Sequence, residues 1–340
     1  VTGLIPIIRP PGLIAPPPTG AFFMTPLTLA EATPANFSAL IHQDVFGASH
    51  AIWSMVQADG GDIRVFADQA KTLPLPAEIE IFDKAAKTLK LWTRITTSLT
   101  AGQQIWVQVG SDSGVLTFPA DAAALGRNNV WQDEQYAGHD PSIDATGAVT
   151  PAVTGTTTIA NPNGGVVRNF PNDTDVIDLN QTTHPAPFSW SGFIYPTATG
   201  NRNFLVKADG NFILRRDANG RLALIKNFTG GVANFSGGSL PLNAWTFAAV
   251  GYDDTLVGNV PSFYINGALQ SLAINSPAPS GTPTRGGNWL IGLISNPSEA
   301  WLGRLGEFRL RSGAKTAAHV AAEASNMNNP GAFFTAGVGA

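Results

Sequence analysis

Between Asn243 and Gln270 the sequence NAWTFAAVGYDDTLVGNVPSFYINGALQ alternates in steps of two, and that alternation restricts the fold more than any other feature. Trp245, Phe247 and Ala249 fall on one side of an extended chain, and Thr246, Ala248 and Val250 on the other. After a polar stretch, Phe263 and Ile265 alternate with Ser262 and Tyr264. The run then meets Asn266-Gly267, a pair that tolerates the positive φ angles of a type I′ hairpin turn. Aromatic and β-branched residues suit a pleated, half-buried surface. The prediction is antiparallel sheet.

The rest of the chain extends this reading. Only 13% of the 340 residues are charged, while 36 Gly and 25 Pro supply turns, the profile of short strands in an all-β protein. Strands are predicted at Phe37–Phe46, His50–Gln57, Asp62–Ala67, Ala77–Asp83, Leu89–Thr97 and Gln103–Gly110. In the fifth of these, Leu89, Leu91, Thr93 and Ile95 line one face, and Lys90, Trp92 and Arg94 the other. From Val176 to Arg311 further strands recur every ten to fifteen residues, roughly the spacing of a sandwich or jelly roll. One helix is predicted, over Thr316–Met327, with Ala317, Val320, Ala321 and Ala324 on a stripe. The organisation expected is a Pro-rich extended arm (1–20), an N-terminal β-sandwich (21–150), a Thr/Gly/Asn/Pro-rich linker (151–174) and a second sandwich with a C-terminal helix and tail (175–340).

Composition also excludes. The net charge of −4 without a basic run gives no electrostatic footprint for nucleic acid or a membrane surface. With no cysteine there is no disulfide framework, thiolate chemistry or cysteine-ligated metal. No window holds the ~20 apolar residues of a membrane helix. The apolar start is broken by Pro6, Pro10, Pro11 and Pro16 to Pro18, with no basic residue ahead of it, so it does not read as an intact secretory signal. An apolar, proline-stiffened arm of this kind is expected to dock on a neighbouring subunit.

The segments NAWTFAAVGYD, SFYINGALQ, NWLIGL and WLGRLGEFRL together resemble the laminin-G-like (concanavalin A-like) jelly-roll family. In that family a Trp-containing strand leads to a Tyr-x-Asn-Gly hairpin, and a Gly-x-x-x-Glu-x-Arg strand closes the sheet. Here the closing strand is Gly303–Arg311, with Glu307 and Arg309 at the characteristic positions. Residues 59–83, 89–110 and 129–147 resemble an uncharacterised β-domain that often precedes a laminin-G-like one. They depart from it at Val107-Gln108-Val109-Gly110-Ser111 and at the shortened Ala137-Gly138-His139. The resemblance implies an all-β fold of two tandem sandwiches and membership of bacterial or phage surface proteins. It also brings in calcium as the one ion worth considering, bound by Asp and carbonyl oxygens. Asp209, Asp217, Asp253 and Asp254 lie in turns, and no position is assigned to it.

Candidate chemistry is sparse. Alternation puts Glu78 and Glu80 on one strand face, as paired carboxylate catalysis requires, with a solvated strand face as the simpler reading. Asp112-Ser113-Gly114 is half of an aspartic-protease pattern without a second half. His42, His50, His139, His184 and His319 are scattered without ligand spacing. Trp190, Trp289 and Trp301 could stack on a sugar ring, although large aromatics in strands more often fill the core. No catalytic, cofactor or metal residue is assigned. The function expected is a non-enzymatic structural and binding protein of a phage virion, in the capsid decoration, tail or fibre. It would be an oligomer or assembly component, held to other subunits through residues 1–20, with a cell-surface glycan as a further partner. A bacterial cell-surface lectin or adhesin is the alternative, and a glycan-cleaving enzyme the third reading. Recognition is expected on loops 253–261 and 275–287.

Overall fold

The computed structural model describes residues 22–110, 115–161, 164–276, 279–293 and 296–339. The arm 1–20 and the Asp112-Ser113-Gly114 motif lie outside the described residues, as does part of the loop 275–287. The protein is all-β, with four antiparallel sheets among the described residues.

Two sheets form the N-terminal sandwich. A five-stranded sheet runs Phe334–Ala336, Phe22–Leu29, Gln104–Gly110, Arg64–Phe66, Pro74–Leu75, and a three-stranded one Phe37–His42, Thr88–Ile95, Ala77–Asp83. Their shared core holds Leu27, Ile41, Ile63, Leu91, Ile105 and Val107, joined by Phe333 and Phe334 from the far end of the chain. Alternation in Thr88–Ile95 is as expected. Leu89, Leu91 and Ile95 enter this core, while Lys90, Trp92 and Arg94 face away from it, toward the second sandwich.

The second sandwich has two eight-stranded sheets around a core that includes Trp190, Trp289 and Trp301. In one sheet the closing strand Gly303–Ser312 lies beside Phe188–Pro196, which pairs with Thr246–Tyr252 and then Ser262–Ile265. The closing strand's other edge takes Val166–Phe170 and Glu134–Gly138 in succession. Asn266 and Gly267 have φ of 49° and 83°, the two positive angles the hairpin demands. Every residue of Thr246–Tyr252 is buried, because the outer face of this sheet is covered as well as the inner. Phe247, Ala249 and Tyr264 pack there with Leu40, Trp92 and Trp131, and with Val320, Ala324 and Met327 of the C-terminal helix.

That helix spans Ala317–Asn328, one residue later at each end than expected, because Thr316 is its N-cap and accepts from the His319 N–H at 3.2 Å. It also ties the sandwiches together. The Asn326 side-chain amide accepts from Leu40 N–H (2.7 Å) and donates to Leu40 C=O (2.9 Å), in the manner of a neighbouring strand. Of two predicted strands, Phe37–Phe46 is a strand only as far as His42, and His50–Gln57 contains no strand. Phe37–His42 gives way to a helical turn at Gln43–Phe46, and a second turn occupies Ile52–Met55. His50 Nδ1 accepts the Ile52 N–H (3.2 Å) and Trp53 Nε1 donates to Gly47 C=O (2.8 Å), so side chains satisfy backbone groups that a strand would pair across a sheet.

Candidate functional site

The outward face of Thr88–Ile95 and the closing strand meet in a buried ionic network, built from two β-bulges. On Ala77–Asp83 the register passes from Ile79↔Leu91 to Ile81↔Lys90, leaving Glu80 without a cross-strand partner. On the closing strand the register against Phe188–Pro196 passes from Ser191↔Arg309 to Phe193↔Gly306, and the shift takes in Glu307, whose φ of +50° is unusual for a residue with a side chain. Bulges re-aim side chains. Here both glutamates turn onto one ammonium: Lys90 Nζ lies 2.8 Å from Glu80 Oε1 and 3.1 Å from Glu307 Oε1.

His139 completes the group. Its Nδ1 is 2.7 Å from Glu307 Oε2, and its Nε2 is 3.3 Å from Glu78 Oε2. The ring stacks on Trp92 with centroids 5.0 Å apart, and Trp92 Nε1 donates to Glu80 Oε2 at 2.8 Å. Trp131 Nε1 donates to Glu78 Oε2 at 2.5 Å. Behind this group, Glu323 of the helix holds Arg309 and Arg311 (both 2.6 Å), and Arg311 also reaches Glu134 (2.6 Å). The Arg309 guanidinium lies 4.8 Å and 4.9 Å from the ring centres of Trp92 and Trp131.

Burial opposes the charge on His139, but the carboxylates of Glu80, Glu307 and Glu78 outweigh it and push its pKa up to about 10. Glu307 is likewise disfavoured as an anion by burial, yet Lys90 and His139 hold it below the usual carboxylate range. Lys90 is raised, since Glu307 and Glu80 overcome its own desolvation. A general acid or base works best with a pKa near the working pH. Lys90, His139 and Glu307 all move away from neutrality, so these three stay ionised and the two cations hold their protons.

Glu80, His139 and Glu307 bring one ligand-type atom each within 4.8 Å of one another. Both oxygens of Glu80 and both of Glu307 already face an N–H donor, and the imidazole carries its protons. A cation would have to displace Lys90 and deprotonate His139. The donor set suits an ion network and does not fit a metal.

Of the expected recognition loops, 253–261 supplies Asp254 and 275–287 supplies Arg285, 2.8 Å apart. Asp254 is buried and also takes Lys226 and His184, each at 3.1 Å. Burial alone would raise the Asp254 carboxyl, but its hydrogen bonds with His184 and Arg285 hold it below the usual range. Asp209, Asp217 and Asp253 each accept from donors within their own turns. Beside Asn275, at the start of the second loop, a polar hollow of about 280 Å³ opens, lined by Asn201, Arg215, Asp217, Asn219, Arg221 and Asn234. Arg215 Nε is buried and has no hydrogen-bond partner among the described residues.

The candidates read from the sequence are therefore sorted. Glu78 and Glu80 are brought together, with His139 and Glu307 added. Trp190, Trp289 and Trp301 lie in the core, each at most 1% exposed. The role of His139 had no sequence signal, because its partners Glu78 and Glu307 are 61 and 168 residues away.

Residues 171–321 match the family model described as the concanavalin A-like lectin/glucanases superfamily. A search of curated proteins returned no match. Among solved structures, the receptor-binding domain of a botulinum neurotoxin C/D mosaic serotype aligns at 13% identity and a TM-score of 0.45, covering 57% of this chain and 51% of that one. The binding domain of Paraclostridial Mosquitocidal Protein 1 aligns at 13% identity and 0.45, over 58% and 53%. Domain 4 of AbnA, an extracellular arabinanase from Geobacillus stearothermophilus solved with arabinotriose, aligns at 19% identity and 0.40, over 55% and 98%. The aligned region thus spans about half the length of the neurotoxin and mosquitocidal domains. The second sandwich of this chain is a laminin-G-like, concanavalin A-like jelly roll.

Proposed function

We propose that the protein is a non-enzymatic binding module whose second sandwich contacts a glycan in the polar hollow at Arg215, Asn234 and Asn275. The observation that carries this reading is the hollow itself. Side-chain amides, two guanidinium groups and a carboxylate converge on one open volume, the mix of donors and acceptors that a polyhydroxylated ligand requires. No aromatic residue lines the hollow, so stacking adds nothing and the expected affinity is about millimolar for a single site. Binding of that strength becomes useful through many copies, which favours an assembly component, and a phage virion is the setting we favour.

A glycan array displayed against an oligomerised form of the protein tests the reading. Saturable binding that disappears in Arg215→Ala and Asn234→Ala supports it; unchanged binding in both variants sinks it. Co-sedimentation of the protein with phage particles checks the virion setting, and recovery only from bacterial surfaces favours the adhesin. Release of reducing ends that stops in Glu78→Gln would restore the enzyme reading.

A further inference from the structure

A cleft of about 410 Å³ opens where Ala77–Asp83 faces the segments around His139 and Gly165, with Glu78 and Glu80 at its floor. Its walls include the aliphatic side chains of Ile81, Ile143 and Val166, while the Ile79 side chain turns the other way into the N-terminal core. Ile143 and Val166 are 56% and 44% exposed, uncovered apolar lips at the mouth. Gly165 keeps the floor open, since a Cβ there would lie 2.7 Å from Glu80 Oε1.

The charges do not balance. Glu78, Glu80 and Glu307 give three negatives against two positives, Lys90 and His139. Behind them Glu323 and Glu134 face Arg309, Arg311 and Lys315. At the rim Arg127 is matched by Asp121, and Asp140 by Arg168. Within the cleft group itself the carboxylates outnumber the cations by one, and Glu78 is the carboxylate left with a free oxygen. Glu78 is 7% exposed, with Oε2 taken by Trp131 and His139, while Oε1 has no partner among the described residues.

We propose that this cleft binds a lysine side chain of a partner protein, its ammonium on Glu78 Oε1 and its methylenes between the isoleucines. A carboxylate with one free oxygen suits a point-charge ammonium better than the planar fork of arginine, which pairs best with both oxygens. An aliphatic stem covers the walls, as lysine methylenes commonly do on apolar surface. The exposed lips at Ile143 and Val166 then pack under the partner's backbone, which a free amine would leave bare. This inference is independent of the glycan reading, whose hollow is lined by none of these residues.

The test titrates Nα-acetyl-lysine methylamide into the full chain, followed by NMR shifts of Ile81, Ile143 and the Trp131 indole. A saturable shift is expected at millimolar concentration, with the norleucine and Nε-acetyl-lysine analogues at least about tenfold weaker. Glu78→Gln keeps an acceptor for Trp131 and is expected to weaken the lysine probe about tenfold. Ile143→Arg, an exposed change that leaves the network intact, places a cation at the mouth and is expected to weaken it similarly. Absence of saturation, equal binding of the norleucine analogue, or unchanged binding in Ile143→Arg each overturns the proposal. Loss of glycan binding in Arg215→Ala leaves it standing.

Discussion

Lys90 is the residue on which the junction turns, because it is buried and held by one glutamate from each sandwich. Removing one partner from a buried ion pair leaves the other uncompensated, so Lys90→Met is expected to destabilise the protein by about 3–5 kcal/mol in urea unfolding. Replacing Lys90, Glu80 and Glu307 together by apolar residues is expected to cost less than Lys90→Met alone. His139 makes the same point through pH. Its folded pKa of about 10 lies above the ordinary 6.5, so its contribution is fully present below pH ~6.5 and is lost progressively as the pH rises toward 10. Glu307 has the opposite sign: its contribution is complete above the ordinary 4.5 and is lost as the pH falls through its lowered folded value. NMR titration of His139 is expected to show no change between pH 6 and 8, and a midpoint near the ordinary value would refute the network as described.

Among the elements, the Asn266-Gly267 hairpin was readable from sequence and the bulges were not. A turn with two positive φ angles demands particular residues, and Asn-Gly announces them. Gly267 is doubly constrained, since a Cβ would also sit 3.0 Å from Ala324 Cβ of the helix. Gly267→Ala is therefore expected to lower stability by about 1–2 kcal/mol by thermal or urea unfolding. Alternation in Thr88–Ile95 correctly divided core from junction, because both faces obey the pleat. In Ala77–Asp83 the same alternation placed Glu78 and Glu80 on one face, but it carried no sign of the inserted residue that turns Glu80 onto Lys90. The helical turns at Gln43–Phe46 and Ile52–Met55 were read as strand because four residues are too few to show a 3.6-residue period.

For the whole molecule, local patterns stop at the junction. Lys90 and Glu307 are 217 residues apart, and Leu40 and Asn326 are 286 apart; nothing in the sequence near either partner marks the other. The covered outer face of Thr246–Tyr252, the helix amide on Leu40 and the ionic network all join one sandwich to the other. The two sandwiches are accordingly expected to unfold in one transition, with calorimetric and van't Hoff enthalpies in agreement. Asn326→Leu leaves the Leu40 N–H and C=O buried without partners, at about 1–3 kcal/mol, and is expected to separate that transition into two.

The strand Phe334–Ala336 carries a consequence for the order of events on the ribosome. It pairs with Phe22–Leu29, and Phe333 and Phe334 fill the core beside Leu27 and Phe37. The sandwich that emerges first therefore waits for residues translated after the whole of the second one. Until then its edge at Leu27–Leu29 stands open, and an open strand edge invites pairing with another nascent chain. The second sandwich can close around its own aromatic core in the meantime and hold the waiting strands nearby.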